Sequence, residues 1–290
     1  MSLTLSLQLL VNGLVFGGLL GLVALGLALI FGVMRVVNFA HGEFITLGAY
    51  ATYLLVTRLA VSPLLGIPLA FGLGALLGWL IQMAVMARVT SRPELEVLMV
   101  TYALSVVGLG LFAQAFGGDF RSYAEGPSGN LSLGGVVVGW RSLSVLISCL
   151  VMGAATLLLI QRARIGLGLR AIAQNRDAAA TCGVNVLASE RVAFSLAVGL
   201  AAAAGALVSL IGTTMPTVGH EWVLDGFVVV VLGGMGSISG ALAASLALGL
   251  IHSFASYVMD DSWARILTYL LLYIAILVRP HGLLGRRVEA

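Results

Sequence analysis

Asn38, His41 and Glu43 stand together between two long apolar runs of the sequence, with Phe39 and Gly42 completing the polar segment. Their amide, imidazole and carboxylate groups could bind protons or hydrogen-bond a solute. Such groups are costly inside hydrocarbon unless they line a cavity or are buried against protein. We therefore predict that these five residues lie on a solute path through a membrane.

Other uses of the same residues stay open. His41 and Glu43 are two positions apart, so they do not share a helix face, and a metal site would need further ligands. A structural role, in which they hydrogen-bond backbone in the break, is an equal alternative. An intramembrane hydrolase would need a nucleophile at the same depth, for which Ser237 is the candidate. We predict no catalytic residue and no metal site.

A second glycine-rich interruption follows late in the chain, so that residues 31–50 and 228–248 share one layout. Paired interruptions at corresponding positions of two halves point to a transport site. A helix restarting near Glu43 or Gly240 would present unpaired N–H groups that favour a carboxylate. The second interruption therefore adds four residues to the predicted path: Gly233, Gly234, Gly236 and Ser237.

The elements that position these segments are predicted to be membrane helices. The chain is 60% hydrophobic and 9% charged, with a mean hydropathy of +1.09, whereas soluble chains carry about a quarter charged residues. We predict an all-α polytopic domain over residues 1–290, with about eight or nine spans. It contains two glycine-interrupted segments, broken or re-entrant, in a two-half pseudo-repeat. The halves cover about residues 5–160 and 191–279, joined by a cytoplasmic coupling loop at about 161–190.

Small residues and charges add detail to this plan. Gly13, Gly17 and Gly21 recur at four-residue spacing, which predicts a face for close helix packing. The sequence contains no Lys, which excludes a Walker phosphate loop, so any ATP must be bound by another chain. No basic stripe indicates nucleic-acid binding. The distribution of Arg predicts a cytoplasmic C-terminus.

Several isolated groups receive local roles. Glu221 and Asp225 begin a short apolar run, where acids favour the helix dipole. The singletons His220, His252 and His281 are predicted to be interfacial or capping. The most basic stretch, residues 161–185, contains a predicted helix at 170–180. Its alternative is a solvated loop that only orients the protein.

Four stretches carry a family resemblance. Residues 37–44, Val-Asn-Phe-Ala-His-Gly-Glu-Phe, with Leu-Gly-Ala-Tyr at 47–50, resemble the signature of the branched-chain amino acid ABC importer permeases. Residues 164–185 resemble the family's ATPase-docking loop. Residues 231–241, Val-Leu-Gly-Gly-Met-Gly-Ser-Ile-Ser-Gly-Ala, resemble its second glycine-rich break, and residues 278–285, Val-Arg-Pro-His-Gly-Leu-Leu-Gly, resemble its closing motif.

The resemblance implies a permease of the bacterial cytoplasmic (inner) membrane for branched-chain or other hydrophobic amino acids, with no cofactor of its own. Implied partners are a homologous second permease, two ABC ATPase subunits that bind ATP, and an extracytoplasmic solute-binding protein. Permeases for urea and short amides are similar through these motifs and form the alternative. A stand-alone secondary transporter is a further alternative, with Glu43 and Asp225 as its ion-site candidates. The residues implied to couple to the ATPase are Arg164, Gly166, Arg170, Gln174, Asn175 and Asp177.

Overall fold

The computed structural model describes residues 2–279 and residue 282. This part of the chain is built from α-helices and one β-hairpin. The helices of the first half are α1 (Leu3–Met34), α2 (His41–Leu59), α3 (Pro63–Ile81), α4 (Ala87–Val89), α5 (Glu94–Phe116) and α6 (Trp140–Arg162). A π-helical turn (Gln82–Met86) joins α3 to α4 as one rod, and β1 (Asn130–Leu133) pairs with β2 (Val136–Gly139) before α6. The remaining helices are α7 (Arg164–Gln174), α8 (Arg176–Thr181), α9 (Val186–Ile211), α10 (Val218–Gly233), α11 (Ile238–Val258) and α12 (Asp261–Val278).

Seven helices of the described chain are long and apolar enough to cross a membrane: α1, the rod Pro63–Val89, α5, α6, α9, α11 and α12. The prediction of an all-α polytopic membrane protein is confirmed. Helices α2 and α10 are not among these seven, because they are too short or too polar to meet the same length and composition. Both follow an irregular connection, and they are the helices that carry the polar site described below.

Two helices form the centre of the molecule. The most apolar windows of α1 and α9 are 78% and 83% buried, whereas that of α12 is 11% buried. The glycine face predicted on α1 is confirmed, because Gly13 and Gly17 lie against the backbone of α11 at Gly249 and Ser245. A Cβ on Gly17 would come within 2.8 Å of the Ser245 carbonyl oxygen. Small residues thus allow close helix approach in the absence of a hydrophobic driving force between helices.

Helix α2 begins inside the molecule and not at its edge. Helix α1 ends at Met34, because Arg35 adopts a left-handed conformation (φ 54°). The connection then returns along α1, and His41 lies beside Gly26, about two helical turns before the end of α1. Helix α10 begins at the same depth, since Gly219 contacts Gly42. Two helix N-termini therefore meet within the membrane domain.

The two halves correspond differently from the prediction. Helix α1 packs on α11 and α10, and helix α9 packs on α3 and α2. Helices α2 and α10 also contact each other. This pattern pairs α1 with α9 and α2 with α10. The connections 35–40 and 212–217 have equal length, and Gly42 and Gly219 are each the second residue of the helix that follows. The match of residues 31–50 with 228–248 is therefore wrong, because it paired the segments by their glycine content.

Candidate functional site

The N-termini of α2 and α10 cross in direct backbone contact. A Cβ on Gly219 would lie 1.8 Å from the carbonyl oxygen of Gly42, so only glycine fits at this crossing. The backbone N–H of Gly219 donates to Thr46 Oγ1 over 3.1 Å. The Thr46 hydroxyl in turn lies 3.3 Å from the Gly42 carbonyl oxygen, its acceptor. This cross-link fixes the two helix starts against each other.

Glu43 and His220 form a polar pair at this crossing. His220 Nδ1 lies 3.3 Å from Glu43 Oε1, and Ser105 Oγ of α5 donates to the same oxygen over 3.1 Å. The Glu43 side chain is 5% exposed and that of His220 is 42% exposed. Glu43 Oε2 has no hydrogen-bond partner among the described residues. The site therefore offers one free carboxylate acceptor beside a partly open imidazole.

The other residues of the first predicted segment have surroundings of their own. Asn38 Oδ1 accepts from the Ala40 N–H over 3.1 Å, which shapes the turn, while its Nδ2 is unpaired within the described chain. The Phe39 ring contacts Tyr102 and Phe227, which lie on α5 and α10. His41 is fully buried beside Gly26 of α1, and neither ring nitrogen has a partner in the described part.

The second predicted segment lies at the opposite end of α10. Gly233 packs on Gly240, where a Cβ would come within 2.4 Å of the backbone carbon, and Gly234 and Gly236 have positive φ angles of 102° and 82°. Ser237 Oγ accepts from the Gly240 N–H over 3.1 Å and caps α11. These four residues form a tight turn beside Gly32, at the end of α1. The structure does not bring them to the α2–α10 crossing.

Sequence reasoning missed two members of the polar pair's surroundings. His220 was assigned an interfacial or capping role, and Ser105 was not singled out. The sequence gives little indication of Ser105, because it is a single hydroxyl in an apolar helix. Only the helix bounds of the structure show that Glu43 and His220 are each the third residue of their helix. Asp225, predicted to interact with a helix dipole, accepts from Tyr269 Oη over 3.1 Å.

The predicted coupling loop folds as α7 and α8. Arg164, Gln174 and Asp177 are exposed and make no side-chain hydrogen bond within the described residues. The other three have local structural contacts. Arg170 donates to the carbonyl oxygens of Gly166 and Gln161, Asn175 Oδ1 caps α8 at Ala178, and Gly166 lies against the end of α6. The loop therefore combines exposed side chains that are free to contact a partner with residues that hold the loop's own structure together.

A large apolar groove lies elsewhere. It has a volume of about 430 Å³ between α3, α6 and α9, and its polar side chains are Ser148 and Thr156. Hydrocarbon chains would fill such a groove in a membrane, so it gives no reason to relocate the polar site. In the described chain, no group of three His, Cys, Asp or Glu side chains could hold a metal ion.

Comparison with known proteins decides the family. A model described as the branched-chain amino acid transport system permease component matches residues 9–276. The chain belongs to this family. The family resemblance found in the motifs is thus confirmed, and the permease assignment rests on nearly the whole chain.

Individual relatives agree along the full length of the permease. It is 30% identical to the high-affinity branched-chain amino acid transport system permease protein BraD of Pseudomonas aeruginosa, over 97% of this chain and 96% of the relative. It is 28% identical to the corresponding protein LivH of Escherichia coli strain K12, with the same coverage. A probable branched-chain amino acid transport permease of Methanocaldococcus jannaschii is 25% identical over 94% of this chain and 91% of its own length. No solved structure matches the permease.

Proposed function

We propose that this permease moves branched-chain amino acids across the cytoplasmic membrane as one subunit of an ABC importer. The observation that best supports this proposal is that the N-termini of α2 and α10 meet at the Glu43–His220 pair. Helix N-termini that meet inside the membrane at the interface of two repeats are a recurrent feature of transport sites. The names of the relatives supply the substrate class, because each is described as a branched-chain amino acid permease.

The charges at the crossing suit a zwitterion. Glu43 Oε2 is a buried acceptor without a partner in the described chain, and it can accept from a solute ammonium group. Helix N-termini carry partial positive charge and favour a carboxylate. A branched-chain side chain would then contact the neighbouring rings of Phe39 and Phe227, which lie 5.5 Å apart by their centroids.

A second permease subunit is part of the proposal. His220 is 42% exposed although it lies at the depth where α10 begins. A polar imidazole at that depth does not face hydrocarbon without cost, so protein or a water-filled path must cover it. Tyr102, Val106 and Leu224 on α5 and α10 are also exposed. We propose that a homologous permease covers this face and that the path runs between the subunits.

Separate ATPase subunits supply the energy in this proposal. Helix α7 exposes two apolar side chains, Ile165 at 51% and Leu167 at 62%, next to the free side chains of Arg164 and Gln174. An exposed apolar and basic surface on a short helix fits a groove of a partner protein. The orientation follows from the Arg distribution, with α7, α8 and the C-terminus in the cytoplasm. ATP binds to the partner chains, and a solute-binding protein delivers the amino acid from outside.

The test is reconstitution of the complete complex in proteoliposomes. ATP hydrolysis and solute uptake are measured while binding protein is added with leucine, with valine, with urea or without solute. Stimulation by the leucine- and valine-loaded forms supports the proposal. Stimulation by urea alone would assign the permease to urea and short amides. Uptake by the single chain without ATPase subunits would replace the proposal with a secondary transporter.

A further inference from the structure

A half-buried ion pair joins the cytoplasmic loop to the central helix α9. Glu190 lies in the second turn of α9, and its side chain is 1% exposed. Arg176, the first residue of α8, donates to Glu190 Oε1 through Nη2 over 2.9 Å and through Nε over 3.2 Å. The Arg176 side chain is 51% exposed. One end of the pair is thus in the core and the other reaches the cytoplasmic surface.

The chemistry of this pair favours a stiff link. Nε and Nη2 of one planar guanidinium both donate to Glu190 Oε1, a two-donor contact that restricts the guanidinium more than a single ammonium contact would. Glu190 Oε2 has no partner in the described chain. Within the described residues, the pair is the one side-chain hydrogen-bonded connection between α9 and either α7 or α8. Arg176 points its donors inward, so it differs from Arg164, whose side chain makes no such bond in the described chain.

Helix α9 leads from this pair directly to the polar site. One turn after Glu190, the ring of Phe194 meets that of Phe44 edge to face, with centroids 6.4 Å apart. Phe44 follows Glu43 in α2. Further along α9, Gly205 lies against the backbone of α2, where a Cβ would come 1.8 Å from the Ile45 carbonyl oxygen. Such close contact transmits displacement because packed interfaces do not deform continuously.

We propose that the Arg176–Glu190 pair transmits movement of the ATPase-bound loop to α9 and through it to α2. Arg176 and Glu190 are positioning residues, and they do not contact ATP or solute. The inference rests on the proposed function, since it requires an ATPase that moves α7 and α8. It adds the route by which that movement reaches the α2–α10 crossing. The surrounding loop residues bind the ATPase, and the Arg176–Glu190 pair transmits the movement of the ATPase to α9.

The test uses Arg176→Lys, which keeps the charge and removes the two-donor geometry. Uptake and ATP hydrolysis are measured on the same proteoliposomes, together with the amount of assembled complex. We expect uptake per ATP to fall by about fivefold or more, the low end of typical coupling between sites, while assembly and hydrolysis persist. The matched control is Arg92→Lys, because Arg92 forms an exposed pair with Glu96 at 3.4 Å. Its uptake per ATP should equal that of the wild type.

The outcomes separate this inference from the proposed function. A wild-type complex without ATP-driven uptake refutes the proposed function. Normal wild-type uptake, with an unchanged ratio of uptake to hydrolysis in Arg176→Lys, refutes only the link. A parallel fall of both activities at constant ratio also refutes it. So does failure of the Arg176→Lys complex to assemble, because the pair would then hold the loop in place and not transmit its movement.

Discussion

Replacing Gly219 by Ala should disrupt the α2–α10 crossing. The added Cβ would lie 1.8 Å from the Gly42 carbonyl oxygen and 2.6 Å from Thr46 Oγ1, whereas real Cβ atoms essentially never approach within 3.0 Å. The two backbones must therefore separate by more than about 1 Å, because neither close contact at Gly42 involves a flexible side chain. Overpacking of this kind costs about 1–3 kcal/mol or more. The gain in helix propensity from Gly to Ala is only about 1 kcal/mol.

The assay compares this variant with a glycine in open space. Gly72 of α3 is exposed, and a Cβ there would meet nothing within 4 Å among the described residues. Gly72→Ala should leave thermal unfolding and uptake of the complex unchanged or raise stability slightly. Gly219→Ala should lower the melting temperature in detergent and abolish most uptake. Wild-type melting and uptake in Gly219→Ala would refute the crossing as described.

Three further changes test neighbouring features. Tyr50→Phe should leave the free energy of unfolding unchanged or raise it by up to about 1 kcal/mol, because the buried Tyr50 hydroxyl has no partner in the described chain; thermal unfolding measures this, and a clear loss of stability would contradict it. Gly166→Ala should weaken co-purification with the ATPase, because its Cβ would lie 2.2 Å from the Ile160 carbonyl oxygen. Gly168→Ala is the control and should not weaken it, because the nearest contact of its Cβ is 3.5 Å away. Equal recovery of both complexes would contradict a supporting role of Gly166 in docking. Glu43→Gln should reduce leucine uptake by about tenfold or more through loss of a charge-assisted hydrogen bond to the ammonium group; unaltered uptake kinetics would remove Glu43 from solute binding.

The local features of the fold could be predicted because they depend on nearby residues. Helix α1 was expected from an uncharged run, and its packing face from Gly13, Gly17 and Gly21. The break before His41 followed from polar residues in apolar sequence. These inferences need only periodicity and the cost of polar groups in hydrocarbon. The structure confirms both the helix and its packing face.

Long-range correspondence could not be predicted in the same way. Gly42 and Gly219 share no surrounding motif, and the glycine-rich run ending at Gly240 gave a stronger local signal. That run forms a turn at the far end of α10, where positive φ angles and close helix contact require glycine. The pairing of α2 with α10 appears only when the packing partners of each helix are known. His220 was misassigned for the same reason.

The coupling loop shows a similar division. The exposure of Gln174 and Asp177 follows from the helix predicted at 170–180, although the structure divides that helix at Asn175 into α7 and α8. The inward turn of Arg176 does not follow from the spacing. Nothing in its sequence neighbourhood separates it from the other basic residues of the loop. Its partner Glu190 lies beyond the next helix start. The predicted closing motif at 278–285 lies largely outside the described residues, and so do His281, Arg286 and Arg287.

The path past the Glu43–His220 pair is tested most directly by chemical access to His220. A His220→Cys variant, with Cys149 and Cys182 replaced by Ser, is treated with a membrane-impermeant thiol reagent in proteoliposomes containing the complete complex. Leu150→Cys on α6 is the control, because Leu150 is 63% exposed on an apolar helix surface. A thiol reacts as the thiolate, which requires water. We predict that His220→Cys reacts much faster than Leu150→Cys and that leucine-loaded binding protein changes its rate. Equal, slow reaction at both positions during active ATP hydrolysis would contradict a solute path at this crossing.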